Sequence, residues 1–137
     1  MKDKVSALTA AINKLPQHAI DMQHHVNGGM YARTGFIPAG MVITGCTHKT
    51  DHISVLVGDA TLTLGESVER LTGYNVLPTK KGMTRALYAH TDCWLTTIVK
   101  TDKTDLIEIE NDVIETPEAL QTRNPELTVN TVVLIGE

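Results

Sequence analysis

The chain is poor in several things that would otherwise place it quickly. Of 137 residues only two are cysteine, Cys46 and Cys93. That is too few for a disulfide framework, so both read as small apolar residues in a reducing compartment. Basic runs are missing: nothing longer than Lys80-Lys81 occurs, and the formal charge is -4. General nucleic-acid binding, which needs a basic face to release phosphate counterions, is thereby excluded. No stretch is apolar enough to span a membrane. The first residues, Met1 to Ala7, lack the apolar core of a signal peptide. There is no glycine loop leading into a helix to cradle phosphate, no arrangement of nucleophile and base, and no internal repeat. A cytosolic protein is expected, made by a cell or by a virus inside one.

What remains is a chain with 42% hydrophobic residues and 20% charged ones, ordinary for a single globular domain. Val5, Leu8, Ile12 and Leu15 recur at helical spacing and predict a helix over 3–15, stopped by Pro16. From 30 to 100 helical periodicity is absent. Short strands are expected instead at 30–37, 41–44, 53–57, 60–64, 68–71, 74–77, 85–89 and 93–99. The turns between them carry Asn27-Gly28-Gly29, Pro38-Ala39-Gly40, Gly58-Asp59, Gly65-Glu66 and Thr72-Gly73. Thr104 is placed to cap a second helix with Leu106, Ile109 and Val113 as its stripe. Residues 116–128 read as a linker and 129–135 as a β-branched strand that must pair somewhere. The expected organisation is a helix at 1–16, a β-barrel at 24–100, and a helix with an extended tail at 103–137.

Chemistry concentrates between Gly45 and Gly58, where His48, Asp51 and His52 precede an apolar strand. The two histidines are four positions apart. On a straight strand that is roughly 13 Å, so they converge only if residues 49–51 bend. Converged, they would suit a transition metal, with a third ligand from His90, His24 or His25. The bland alternative is rim histidines bonded to neighbours, such as His48 with Asp51. Arg33 and Arg85 lie on expected strands. Inward-facing, they would form structural ion pairs, with Asp92 or Asp51 as candidates, or clamp an anionic ligand at the barrel mouth. Trp94 is expected in the core. Tyr31 and Tyr88 would line a pocket or pack, and His25 stands beside the first strand.

Two segments then carry a resemblance. His48 to Gly58, and Pro78 to Arg85 with Gly82 within it, stand in the order and separation of the two motifs of the cupin superfamily. The finer texture is similar to small cupin-like proteins of tailed bacteriophages and prophages. It lies in Tyr31-Ala32-Arg33, Ile37-Pro38-Ala39-Gly40, His48-Lys49, His52, Arg85-Ala86, Tyr88-Ala89-His90 and Trp94. The resemblance implies a mainly β fold, a single double-stranded β-helix or jelly-roll with a short helix at either end. It also implies a metal held by motif histidines, with zinc, iron, manganese or nickel in view. His48 matches one first-motif histidine, and Asp51 or His52 falls where a glutamate would stand. Arg85 occupies the second-motif histidine position and cannot ligate. Two functions follow as expectations. One is a non-enzymatic, homo-oligomeric phage module, partnered by virion proteins and found in the host cytoplasm or the virion. The other is a small metal-dependent oxygenase, isomerase or lyase with His48, His52 and His90 as ligands.

Overall fold

The computed structural model describes residues 1–125, 127 and 131–136, with 131–135 described by backbone alone. The six-stranded sheet starts from a hairpin. β1 (Met22–Asn27) and β2 (Met30–Ile37) are joined by Gly28 and Gly29, both at positive φ, the backbone that a two-residue hairpin turn demands. β1 was not expected, because its inward set is Met22, His24 and Val26 and the central histidine hides the alternation. The following strands are β3 (Val42–Thr44), β4 (His52–Val57), β5 (Ala60–Leu64) and β6 (Ser67–Leu71). Then come β7 (Tyr74–Thr79), β8 (Ala86–Ala89) and β9 (Cys93–Lys100), each within a few residues of its expected place.

These strands form two sheets, ordered β10-β1-β2-β9-β4-β7 and β3-β8-β5-β6, where β10 is Thr131–Ile135. Apart from β5 and β6, which pair directly, successive strands from β2 to β9 alternate between the sheets. The result is a jelly-roll sandwich, the fold class expected. β10 pairs parallel with β1, so the expected terminal strand finds its partner there; residues 129 and 130 lie outside the described residues.

Two helices complete the chain. α1 (Lys2–Ile12) buries Val5 and lies against β3; it ends before Leu15, which is 62% exposed. α2 (Leu106–Val113) is capped by Asp105, whose carboxylate accepts from the Glu108 amide at 3.2 Å, rather than by Thr104. The expected linker is partly packed. It holds two single-turn 3-10 helices, Pro117–Ala119 and Gln121–Arg123, and buries Leu120 between them.

Two apolar clusters divide the interior. Val26, Tyr31 and Val99 meet Ile109, Val113 and Leu120 beneath α2. Ile37, Leu56, Leu62, Leu87 and Cys93 fill the other end of the sandwich. Between them the register sets His24, Arg33, Thr97 and Ser54 side by side across β1, β2, β9 and β4. This polar row crosses an otherwise apolar interior, and the candidate site opens from it.

Candidate functional site

His48 lies in the loop between β3 and β4, and three backbone bonds hold residues 47–49 of that loop. The Lys49 amide donates to the Val113 carbonyl (2.8 Å), Glu115 to Thr47 (2.9 Å) and Gly82 to His48 (3.0 Å). The end of α2 and the β7–β8 loop thus grip the segment from both sides. His52 opens β4 opposite Thr79 of β7 and hydrogen-bonds the Thr50 carbonyl through Nδ1 at 3.0 Å. The bend that the sequence permits is made, and the two imidazole rings stand 4.1 Å apart, tilted by 33°.

The electrostatics follow from burial. His48 is only 5% exposed, and its Nδ1 has no hydrogen-bond partner. Desolvation, then His52 and then Arg33, push its pKa down to about 4, against a smaller opposing pull from the Cys46 backbone. It is a neutral imidazole near pH 7. Asp51 is turned to solvent, where its carboxylate accepts from the Lys81 amide at 2.9 Å and faces Lys80 at 3.5 Å. It joins neither His48 nor either arginine.

Arg85 approaches the same mouth. Its Nη2 donates to Thr79 Oγ1 at 3.1 Å and its Nε to the Thr63 carbonyl at 3.2 Å. Both partners are neutral. No carboxylate among the described residues pairs with it, and burial alone moves its pKa, downward. Arg33 differs. Its Nη1 meets Glu110 Oε2 of α2 at 3.2 Å, and Glu110 Oε1 accepts from Arg123 at 3.1 Å. The partner of Arg33 is therefore Glu110 and not Asp92 or Asp51. Asp92 instead accepts from the Ala39 amide.

The other candidates fall elsewhere. His90 shares a hydrogen bond with Thr61 Oγ1 (2.7 Å), and its backbone amide donates to the Asp59 carbonyl, just past the far end of β4. A six-residue strand separates that end from His52, roughly 20 Å at the rise of a β-strand. Tyr88 packs edge-on to His90 at 4.9 Å and is 41% exposed on the outer face of the four-stranded sheet. His25 points outward from β1, while His24 points in. Tyr31 is buried, shares a 2.5 Å hydrogen bond with His24 Nδ1, and is raised to about 12 chiefly by burial. The structure therefore brings His48 and His52 together, links Arg85 to Thr79, the residue opposite His52, and leaves His90, Tyr88 and His25 outside.

Glu110 and Thr79 were missed. Glu110 had a signal: it follows Leu106 by four and precedes Val113 by three, so it sits on the buried stripe of α2. Thr79 had none short of the β4–β7 register.

A metal can be tested against these side chains. Two imidazoles converge, but no group of three His, Cys, Asp or Glu among the described residues is placed to hold an ion. The residues do not complete a three-ligand protein site.

No family model matches the chain, and no curated protein matches it in sequence. Solved structures do match in shape. An uncharacterized protein with a double-stranded β-helix domain from Klebsiella pneumoniae is 10% identical, with a TM-score of 0.51 over 66% of this chain and 85% of that one. The fold is the cupin fold. Salicylate 1,2-dioxygenase from Pseudoaminobacter salicylatoxidans is also similar in shape, with a TM-score of 0.53 at 13% identity. That match covers 82% of this chain and 35% of the dioxygenase. A cupin superfamily protein from Desulfitobacterium hafniense is 13% identical over 66% of this chain and 86% of its own, with a TM-score of 0.47. At such identities the likeness is one of cupin architecture. No helix among the described residues is long and apolar enough to cross a membrane.

Proposed function

We propose that this chain is a non-enzymatic, homo-oligomeric cupin-fold binding module that takes a small carboxylate at the mouth formed by His48, His52, Thr79 and Arg85. One observation carries the reading: Arg85 is a half-buried guanidinium whose two hydrogen-bond partners are both uncharged. A partly desolvated cation without a counterion is costly, and a carboxylate would offset that cost through charge-assisted, two-pronged hydrogen bonds. The neutral His48 imidazole adds hydrogen-bonding capacity without competing charge. The phage origin, virion partners and host-cytoplasm location belong to this reading through the sequence resemblance alone.

Calorimetry with acetate, benzoate and succinate tests it. At least one should bind, and Arg85→Ala should weaken it about tenfold or more, the size of one charge-assisted bond. Failure of all three to bind the wild type, or equal binding by Arg85→Ala, overturns the reading. Elemental analysis of the purified protein tests the competing one. Stoichiometric zinc, iron, manganese or nickel, lost in both His48→Ala and His52→Ala, would replace the carboxylate module by a metal-dependent enzyme.

A further inference from the structure

A groove of about 140 Å³ lies on the outer face of the four-stranded sheet, outside the interior that holds His48. Its origin is local. A strand with one wet face usually alternates apolar inward and polar outward. Here apolar side chains also stand outside. Val42 of β3 pairs with Tyr88 of β8, and Val68 of β6 pairs with Thr63 of β5. α1 lies against β3, and its Leu8 lines the groove as well. Two contacts hold the helix in that place. Val5 is buried beneath it, and the Met1 amine meets the Glu66 carboxylate in the β5–β6 turn at 2.8 Å. The walls remain open to water: Val68 is 58% exposed and Leu8 36%. The six-stranded sheet also exposes Trp94, to 45%, but neither helix stands beside it to make a second wall.

The polar groups at the groove are already engaged. Thr61 Oγ1 is bonded to His90 Nε2 at 2.7 Å, and Thr63 Oγ1 accepts from the Ala86 amide at 3.1 Å. Arg70 stands in register with Thr61, yet both oxygens of Asp59 hold its guanidinium, each at 2.9 Å. A charged ligand would lose water here and gain no partner for its charge. An uncharged, apolar one gains from every wall it covers. Size narrows the class. A cavity of roughly 150 Å³ with aliphatic walls is enough to take benzene. One ring fits the groove, whereas fused rings or long chains would project from it. Tyr88 favours a ring over an alkyl group, because aromatic pairs gain from offset or edge-on contact beyond the area they bury. His90, packed edge-on to Tyr88 at 4.9 Å, holds that side chain in place.

We infer that this groove is a second binding site, and that it takes a single uncharged aromatic ring of the size of benzene or toluene. Leu8, Val42, Val68 and Ala86 form its apolar walls and floor, and Tyr88 supplies the aromatic contact. The site is separate from the carboxylate mouth, which opens from the interior, and does not depend on it.

Toluene and benzoate, the same ring without and with a charge, are the probes. Each is titrated into the full chain while the side-chain methyl resonances are followed by NMR. Toluene should give saturable shifts at Leu8, Val42, Val68 and Ala86, with a Kd of about 1 mM or tighter. Val68→Asp on the edge strand and Leu8→Gln on α1 should each weaken toluene about tenfold or more, with unchanged circular dichroism. The two substitutions stand on different elements, so misfolding of one leaves the other to decide. No saturable shift up to the solubility of toluene overturns the inference. So do shifts confined to other methyls, or wild-type affinity in the folded variants. Benzoate should leave the groove methyls unmoved, and shifts there equal to those from toluene overturn the choice of an uncharged ligand. Failure of this site is distinguishable from failure of the carboxylate site. Arg85→Ala should keep toluene and lose the carboxylate, and Val68→Asp should do the reverse.

Discussion

Arg33 of β2 and Glu110 of α2 meet at 3.2 Å across 77 positions of sequence, and the carboxylate side chain is only 2% exposed. Glu110 also takes Arg123 at 3.1 Å and the Thr122 hydroxyl at 3.4 Å, so one buried carboxylate ties α2 and the chain after it to the sheet. Removing one member of such a pair leaves a charge stranded out of water.

Glu110→Ala is therefore expected to destabilise the fold by about 3–5 kcal/mol, the usual cost of breaking a buried pair. Arg33→Met combined with Glu110→Leu should lose much less, because no buried charge is left behind. Arg123 can turn to water, since its side chain is already 23% exposed. Urea unfolding of the three proteins checks this. Additive losses in the double variant would mean that the pair is not coupled.

Acid should weaken the fold through its buried imidazoles before Asp51 and Asp59 titrate. His24 is fully buried and held at about 4 by desolvation, then by Arg33 and His25; Tyr31 faces it as well, and His48 is depressed to the same value. The unfolded chain protonates these imidazoles near 6.5, while the folded chain resists until about 4. Across that window the unfolded state holds more protons, so stability falls as pH drops from about 6.5 to about 4 and is fully present above it. For His24 the loss is on the order of 2–3 kcal/mol. The paired carboxylates Asp51 and Asp59 are shifted downward from 3.8, so they titrate below this window. Unfolding free energies measured from pH 4 to 7.5 should show the slope, and His24→Gln should flatten it. An unchanged slope in that variant would remove His24 from the account.

Gly58 turns β4 into β5 at φ +128°, and a Cβ there would meet Cys93 Sγ at 2.7 Å and the Asp92 carbonyl at 2.8 Å. The Asp92 carbonyl is backbone and cannot give way cheaply. Gly58→Ala should cost at least about 2 kcal/mol, from overpacking and the left-handed backbone together. Gly65→Ala is the control. Its φ is +59° but nothing lies within 4 Å of the added atom, so only the conformational part should appear. Equal melting temperatures for the two variants would contradict the crowding argument.

Much of the architecture is legible in the residues alone. Glycines at the turns and period-two runs between them define the strands, because backbone sterics and pleat geometry act locally. The resemblance carried by His48–Gly58 and Pro78–Arg85 pointed to the jelly-roll, and the His48–His52 bend was permitted by its polar residues. Tertiary structure alone decided the rest. Alternation says that a strand has two faces, but where both are apolar, as around Trp94, it cannot say which one is core. Trp94 was expected inside and stands outside for that reason. The choice of partners is likewise invisible locally: strand order places His90 at the far end of β4 from His52, and helix docking brings Glu110 to Arg33. Contacts between residues distant in the chain depend on how sheets and helices stack, and neither spacing nor composition encodes that stacking directly.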